Sequence, residues 1–376
     1  MRMFVLILLL MDILHSSYSF GADEPNNKIG FQFLVPKITK EQVPIIETED
    51  ELDAKRFALD AQSKGMSVVC THNGPFHWDD VMACTLLRYT TDPSWYNEEP
   101  QYTYLEEKID PDMDSFYIKN RPIPQSIVNS LGSTVQNNTI NEHTNKKQDE
   151  RVGQKSEVIR THRFFKPKFR RIAIIRTRNS SVFKLADFVV DIGGVYWPTL
   201  NYYDHHQAGF NQNFYGKMKS TDRDYIILLS SAGLIYRDYG KEIIRNFADL
   251  HQVSLGYTPK SEERAVWDLH WEIYSDIIRE IDAADNGIEM FRQGSQPRYY
   301  INTGLSSRVK RLNPSWNSFE QDRSKAFLLA MDTTEQDLVT QLNLRIKTVR
   351  PAYEMVKNAY DTRYTFHSSG EIFFLK

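Results

Sequence analysis

The sequence predicts an α/β domain in which a mostly parallel β-sheet is flanked by helices. Two observations support this fold class. Short apolar runs rich in β-branched residues alternate with longer segments that have helical periodicity. The apolar runs also stop abruptly at clustered acids, histidines and glycines, and an open α/β sheet gathers its ligands at the carboxyl ends of its strands. Alternation of this kind favours parallel strands joined by helices.

Length and composition limit the interpretation. The chain has 376 residues, which predicts about two domains with some additional sequence. Charged residues make up 25% and the net charge is -3, so any site for a polyanion must be local. Cys70 and Cys84 both lie in apolar runs, and we expect them to be buried free thiols rather than a disulfide.

The N-terminal part is expected to lie outside the folded core. Residues 1–22 contain an apolar run and then small and polar residues, which is typical of a secretory signal peptide or another cleaved targeting segment and is too short for a membrane span. Arg2 and Asp12 make a mitochondrial presequence a poorer fit. Residues 23–63 are polar and acidic without sustained periodicity, and are predicted to be a linker. We identify no other segment long enough to cross a bilayer.

The main domain is predicted to span residues 64–290. It begins with "MSVVCTH", a buried strand that runs into a polar loop, followed by a buried helix from Trp78 to Arg88 with acids in its first turn. Two further strands, "RIAIIRT" and "FVVDIGG", and a third that ends in Asp204 come later in the chain. Helices are predicted from Ser230 to Tyr239 and from Ser261 to about Asp285.

A polar segment at about 106–165 interrupts this domain and is predicted to be a disordered insertion, because it is rich in Asn, Ser, Gln and charge. A basic run overlaps the end of this segment and continues beyond it. This run has two possible interpretations. It is either a patch that binds phosphate or directs targeting, or an ordinary solvated surface. The basic residues are Arg160, Arg163, Lys166, Lys168, Arg170, Arg171, Arg176 and Arg178.

Four separate segments end in residues that can carry chemistry. Each alone has an ordinary explanation as a turn, a helix cap or a structural histidine. Four such segments at one edge of a sheet favour a shared site. Imidazole and carboxylate without thiolate suit Mn²⁺, or Mg²⁺ with more carboxylate, better than a structural zinc. Two such cations sharing a carboxylate about 4 Å apart would support phosphoester hydrolysis. The residues are His72, His77, Asp79 and Asp80; Asp191; Asp204, His205 and His206; and Asp282 and Asp285.

Six motifs in order resemble the melanocyte-proliferating-gene exonuclease family, formerly the metal-dependent protein hydrolases, which is similar to the DHH phosphoesterases. The resemblance covers about Met66 to Arg88 and Ile172 to the end of the chain. It implies a DHH-type fold with two metal ions, and 3'-to-5' exonuclease activity on single-stranded RNA in RNA processing. It also implies a mitochondrial or nuclear location. The motifs are "THNGPFHWDD", "VVDIGGVY", "DHHQAGF", "SSAGLIYRDYG", "IDAADNG" and "LSSRVKRLNPSWN".

The resemblance also implies roles for individual residues. Asp191 corresponds to the carboxylate that bridges the two metals, and His206 to the histidine nearest the phosphate. Arg308, Arg311 and Gln207 are the expected substrate contacts. The expected catalytic residues are His206, Asp204 and Asp80, and the expected metal ligands are His72, His77, Asp79, Asp191, His205, Asp285 and, as a less direct match, Asp282.

The sequence departs from the family pattern at several positions. Asp80 stands where a glutamate is usual, Trp197 where an acid is common, and Ala208 where an arginine is common. The chain stops at "GEIFFLK", before the C-terminal portion of the family. Residues 291–376 are therefore expected to form only part of a second, smaller α/β domain that binds substrate.

Three functions are compatible with these residues. The first is a metal-dependent nuclease, an exoribonuclease. The second is a hydrolase of small phosphoesters or pyrophosphate on the same site, since a metal cluster does not set the size of the substrate. The third is a nucleic-acid-binding relative that has lost turnover.

Overall fold

The computed structural model describes residues 38–94, 167–215, 227–256, 259–291, 294–296, 298–319 and 321–375, together with the backbone of residues 102–109 and 158–165. The strands are β1 (Ile45–Glu47), β2 (Ser67–Thr71), β3 (Tyr102–Ile109), β4 (Val158–Phe165), β5 (Ile172–Arg176), β6 (Phe188–Val190), β7 (Tyr196–Trp197) and β8 (Tyr202–Tyr203). The helices are α1 (Glu51–Ser63), α2 (Trp78–Arg88), α3 (Ser180–Phe183), α4 (Ser231–Leu250), α5 (Pro259–Ile273), α6 (Arg279–Asp285), α7 (Leu305–Lys310), α8 (Arg323–Asn343), α9 (Arg350–Asp361) and α10 (Arg363–Phe366). π-helical segments join α5 to α6 (Tyr274–Ile278) and α8 to α9 (Leu344–Val349), and a 3₁₀ turn spans Pro198–Leu200.

Six strands form one sheet in the order β1-β5-β2-β6-β8-β7. All neighbours are parallel except β7 and β8, which are antiparallel. In the centre, Val69 lies opposite Ile174 on one side and Phe188 on the other. The structure confirms the predicted α/β class with a mostly parallel sheet.

The central strands are buried on both faces, as parallel strands covered by helices must be. Successive residues of β2 enter opposite apolar layers: Val69 belongs to the larger core with α2, α4, α5 and α8, and Val68 and Cys70 belong to the smaller core under α1. Both Cys70 and Cys84 are buried and free, as predicted.

The predicted helices are present, and one of them is considerably longer than expected. Helix α2 has the predicted bounds. Helix α4 continues eleven residues beyond Tyr239 to Leu250, because Ile243, Ile244 and Phe247 extend its buried face. The helix predicted from Ser261 to Asp285 corresponds to α5, its π-helical extension and α6.

The predicted linker at 23–63 is corrected from residue 45 onward. Strand β1 joins the edge of the sheet beside β5, and α1 covers one face of the sheet. The apolar stripe of α1 consists of Ala54, Ala58 and Ala61, all fully or almost fully buried. Alanine fits closely against a sheet but gives only a weak hydrophobic pattern, which explains why the helix was not predicted.

The predicted targeting segment at 1–22 and most of the predicted insertion at 106–165 lie outside the described residues. At the two ends of the predicted insertion, the described backbone forms β3 and β4, which pair as a separate two-stranded sheet.

The predicted second α/β domain at 291–376 is also corrected. The described residues of this range contain helices α7 to α10 and no strand. Leu305, Val309, Phe327 and Leu342 belong to the larger core, so these helices extend the main domain rather than forming a second one. No helix among the described residues combines the length and apolar character needed to span a membrane.

Candidate metal centre

The predicted site residues meet at the carboxyl edge of the sheet. His72 directly follows β2, Asp191 follows β6, and Asp204 follows β8. Because these strands are parallel neighbours, their ends lie side by side. Helix α2 brings Asp79 from its first turn, and α6 brings Asp285 from its last residue.

Asp191 lies at the centre of this arrangement. Its Oδ2 is 3.3 Å from His72 Nε2, and its Oδ1 is 3.7 Å from His205 Nε2. The hydroxyl of Ser231 donates a hydrogen bond of 3.1 Å to Oδ1. The backbone of Asp191 is left-handed, with φ of 56°, a conformation that costs about 1–3 kcal/mol for a residue with a side chain. The two carboxylate oxygens therefore face two different histidines.

Three groups of side chains bring ligand atoms within 4.8 Å of one another. Asp191 belongs to two of the groups, and His77 also belongs to two. His205 Nε2 lies 3.0 Å from Asp285 Oδ2 without forming an aligned hydrogen bond, so the site also connects to α6. The groups are His72, His77 and Asp191; His77, Asp79 and Asp285; and Asp191, Asp204, His205 and His206.

The surroundings of Asp79 fit a carboxylate that binds a cation. Both of its carboxylate oxygens are buried, and among the described residues neither has a hydrogen-bond partner. Burial raises the pKa of Asp79 well above its usual value, and Asp191 and Asp285 raise it further. An unpaired buried carboxylate is costly, and a cation is the partner that offsets the cost. Carboxylates with imidazoles fit Mn²⁺ or Mg²⁺.

Asp204 and His206 form a tightly bonded pair. Asp204 accepts hydrogen bonds from the amides of Gly194 (2.6 Å), His205 (2.7 Å) and His206 (3.2 Å), and lies 2.7 Å from His206 Nδ1. Burial opposes ionisation of Asp204, but these hydrogen bonds, led by that of His206, lower its pKa below the usual value. The bond to Asp204 raises the pKa of His206 to about 9. Because Nδ1 is engaged and the side chain is 62% exposed, Nε2 is left for a ligand.

Asp80 and Asp282 lie outside the three groups. Asp80 accepts hydrogen bonds from the amides of His77 (3.0 Å) and Val81 (2.8 Å), and its other oxygen is 3.3 Å from His72 Nε2. Asp80 therefore closes the first turn of α2, and its second oxygen approaches His72 Nε2 without forming an aligned hydrogen bond. Asp282 accepts from the amide (2.9 Å) and hydroxyl (2.7 Å) of Ser230 at the start of α4. Burial raises the pKa of each carboxyl to about 7.

The predicted substrate contacts are placed elsewhere. With its amide oriented to donate to the Asp204 carbonyl (3.0 Å) and accept from the Tyr196 amide (3.2 Å), Gln207 ties β7 to the turn after β8. Arg308 pairs with Asp337. Arg311 donates to the Asn302 carbonyl at 2.7 Å. None of these three residues lines the cavity described below.

The structure adds two supporting residues that the sequence did not single out. Asn313 donates to the Phe76 carbonyl and accepts from the Phe76 amide, each at 2.9 Å, and so fixes the loop before His77. Arg176 is fully buried and donates to Glu47 (3.1 Å) and to the Gly74 carbonyl (2.8 Å) in the same loop. The Asn313-Pro314 pair after α7 is a sequence signal that could have identified Asn313. Arg176 appeared in the sequence only as one member of the basic run.

A cavity of about 240 Å³ opens beside the ligand groups. Asp191, Ile192 and Gly193 are consecutive residues of its lining, and the φ of 102° at Gly193 favours glycine. The remaining lining residues are His72, His77, Arg178, Asp204 and His206.

This fold and this site define an α/β protein whose clustered acids and histidines could hold divalent cations at the edge of its sheet. A family model named MYG1_exonuc, with the description "Uncharacterised protein family (UPF0160)", matches residues 162–376. The match extends over more than half of the chain, and the chain belongs to this MYG1 exonuclease family, as the motifs predicted.

Curated relatives agree with this assignment. The chain is 37% identical over 207 residues to the MYG1 exonuclease of Rattus norvegicus, covering 55% of this chain and 51% of the relative. It is 35% identical over 206 residues to the Homo sapiens MYG1 exonuclease, covering 55% and 52%. The Dictyostelium discoideum MYG1 protein is 35% identical over 211 residues, with 56% and 59% covered. The chain thus spans about half the length of the curated relatives it matches. No solved structure matches the chain.

Proposed function

We propose that this chain is a phosphodiesterase that depends on divalent metal ions and shortens single-stranded RNA from its 3' end. The observation that carries the proposal is the position of Asp191, whose two oxygens face His72 and His205 from a strained backbone. A carboxylate that faces two ligand sets suits a pair of cations. Relatives that carry the name exonuclease support a nucleic-acid substrate. The preference for RNA and the direction rest on the resemblance of the motifs.

The ligand groups suggest how two cations would be shared. His72, His77 and Asp191 would hold one. In the group that contains Asp204 and His206, those two side chains bond to each other, which leaves Asp191 and His205 to hold the second cation. Asp285, which lies 3.0 Å from His205, and Asp79, which belongs to the same group as Asp285, would complete this second set. When bound, such a pair supplies Lewis-acid stabilisation of phosphate charge and lowers the pKa of a water molecule.

The protein's own residues orient the reaction. Asp204 holds the imidazole of His206 through Nδ1, which directs Nε2 toward the cavity, where it can donate a hydrogen bond to a phosphate oxygen. The Asn73 carbonyl lies 3.0 Å from His72 Nδ1 and leaves Nε2 facing Asp191, and Ser231 donates to Asp191. Preorganised donors of this kind act without reorganisation during the reaction.

A cleavage assay tests the proposal directly. The purified chain is offered 5'-labelled single-stranded RNA, single-stranded DNA and pyrophosphate, with Mn²⁺, with Mg²⁺ and with EDTA. We expect stepwise shortening of the RNA with either cation and no shortening with EDTA. In Asp191→Ala the cleavage rate should fall by at least about 10³-fold, as when a group that assembles an active site is removed. Asp60→Ala, an exposed acid on α1 paired with Lys64, is the control and should retain activity.

The alternatives give different results in the same assay. Release of phosphate from pyrophosphate with intact RNA would favour the small-phosphoester hydrolase. Absence of metal-dependent cleavage of every substrate would contradict both enzymatic functions and favour a binding protein.

A further inference from the structure

Arg178 lies at the wall of the cavity that adjoins the candidate metal centre. Among the described residues that line this cavity, it carries the one permanent positive charge. The other ionisable lining residues are acids and histidines that belong to the ligand groups. The lining of the cavity therefore combines two aspartates and three histidines with a single arginine.

The backbone at Arg178 is firmly positioned. Strand β5 ends at Arg176, and the amide of Thr177 donates to the Thr71 carbonyl (2.8 Å), immediately before His72. The carboxylate of Glu49 accepts from the amide of Arg178 (2.9 Å) and from the hydroxyl of Thr177 (3.1 Å). These bonds hold the start of the Arg178 side chain beside the end of β2.

The guanidinium of Arg178 itself has no hydrogen bond or ion pair within the part of the chain that the structure describes. Glu49 is nearby, but its oxygens accept from the backbone, from Thr177 and from Asn73. The neighbouring arginines of the basic run differ, because their guanidinium groups are used within the protein. Arg170 donates to Thr90 and Ser67, Arg171 to the Lys64 carbonyl, and Arg176 to Glu47 and Gly74.

We propose that Arg178 is a substrate-binding residue that holds a phosphate group of the substrate over the metal centre, an inference that rests on the proposed function. A guanidinium presents paired N–H donors that match two oxygens of a phosphate. In a cavity whose other charged groups are acids and histidines, it supplies attraction for an anion independently of the cations. His206 and Arg178 line the same cavity, so both can contact the phosphate there.

Kinetics of two Arg178 variants test this role. In Arg178→Gln we expect the KM for 5'-labelled RNA in Mn²⁺ to rise about 10- to 100-fold, the loss expected when a charge-assisted contact to a phosphate is removed. Arg178→Lys should lie between this variant and the wild type, since it keeps the charge but not the paired donors. Calorimetric affinity for Mn²⁺ should be unchanged in both. Arg264→Gln, at an exposed arginine paired with Asp268 on α5, should behave as the wild type.

A binding measurement separates this proposal from the proposed function. Inorganic phosphate is titrated into the Mn²⁺-loaded protein while the melting temperature is followed. Phosphate should stabilise the wild type and Arg264→Gln but not Arg178→Gln. If the wild type cleaves nothing yet shows this difference, the proposed function fails and the phosphate site stands. If Arg178→Gln binds phosphate and RNA as the wild type does, the role of Arg178 is overturned, whatever the activity.

Discussion

At the scale of single residues, Asp191 combines a left-handed backbone with a buried carboxylate that faces two sets of ligand atoms. The positive φ turns the chain so that the side chain leaves β6 toward the cavity, while the amide of Asp191 still donates to the Tyr203 carbonyl at 3.0 Å. Strain of this kind persists where surrounding contacts fix the conformation. Here Ser231 and the neighbouring strand β8 provide those contacts.

Asp79→Asn should stabilise the metal-free protein at pH 8. Burial and neighbouring acids raise the pKa of Asp79 in the folded state, so its carboxyl ionises at a higher pH there than in the unfolded chain. The folded wild type therefore loses stability as the pH rises above about 3.9, the usual pKa of an aspartate, until the folded carboxyl has ionised. In EDTA at pH 8 we expect the variant to melt about 2–4 °C higher than the wild type, with a smaller difference at pH 5.

Asp60→Asn on the exposed face of α1 is the matched control, and its melting temperature should follow that of the wild type at both pH values. If Asp79→Asn changes the melting temperature equally at pH 5 and pH 8, or lowers it at pH 8, the charge of Asp79 does not destabilise the folded protein.

The residue types of the site could be predicted, but their division of roles could not. Both Asp282 and Asp285 follow apolar residues of the long helix by four, so the sequence pattern treats them alike. The structure separates them, because Asp282 faces Ser230 and the backbone of α4 whereas Asp285 faces His205. Gly233 in α4 makes this possible, because a Cβ at that position would clash with the carboxylate of Asp282.

At the scale of elements, the loop between β2 and α2 depends on contacts from distant parts of the chain. Asn313, after α7, forms two hydrogen bonds with the backbone of Phe76. Arg176 in β5 holds the Gly74 carbonyl and lies over the rings of Phe76 and Phe327. His72 and His77 lie at the two ends of this loop, so its conformation sets their separation.

Asn313→Ala should reduce metal binding without removing any ligand. The loss of the two bonds leaves the backbone of Phe76 without partners and is expected to cost about 1–3 kcal/mol of stability. As the loop relaxes, we expect the Mn²⁺ affinity measured by calorimetry to fall about 10- to 100-fold, which is the usual effect of losing a group that orients ligands. Asn317→Ala, at an exposed position of the same segment, should change neither quantity. Wild-type Mn²⁺ affinity in Asn313→Ala would contradict this account of the loop.

Elements with strong local patterns were predicted well, and elements defined by packing were not. Strand β2 is mostly apolar, and helix α2 has an apolar segment preceded by acids in its first turn, so the bounds of both were predictable. Strand β1 has only three residues, and α1 packs through alanines, so neither has a pattern that stands out from a polar linker. Their positions follow from pairing with β5 and contact with the sheet, which are long-range interactions.

At the scale of the whole molecule, the helices after residue 300 complete the main core rather than forming the expected second domain. Phe327 and Leu305 belong to the same core as Val69, and Asn313 joins this region to the site loop. Stability and site geometry are therefore linked through one core. The sequence could not indicate this, because amphipathic helices have the same pattern whether they cover their own domain or a neighbouring one.

The most direct test of the central claim, that Asp191 joins two cation sites, is the number and coupling of Mn²⁺ ions bound per chain. Calorimetry gives the stoichiometry, and electron paramagnetic resonance reports whether two ions share a ligand. We expect two Mn²⁺ ions per wild-type chain with an exchange-coupled spectrum, and loss of the coupled signal in Asp191→Ala but not in Asp60→Ala. A single ion per chain, or two uncoupled ions in the wild type, would contradict the claim.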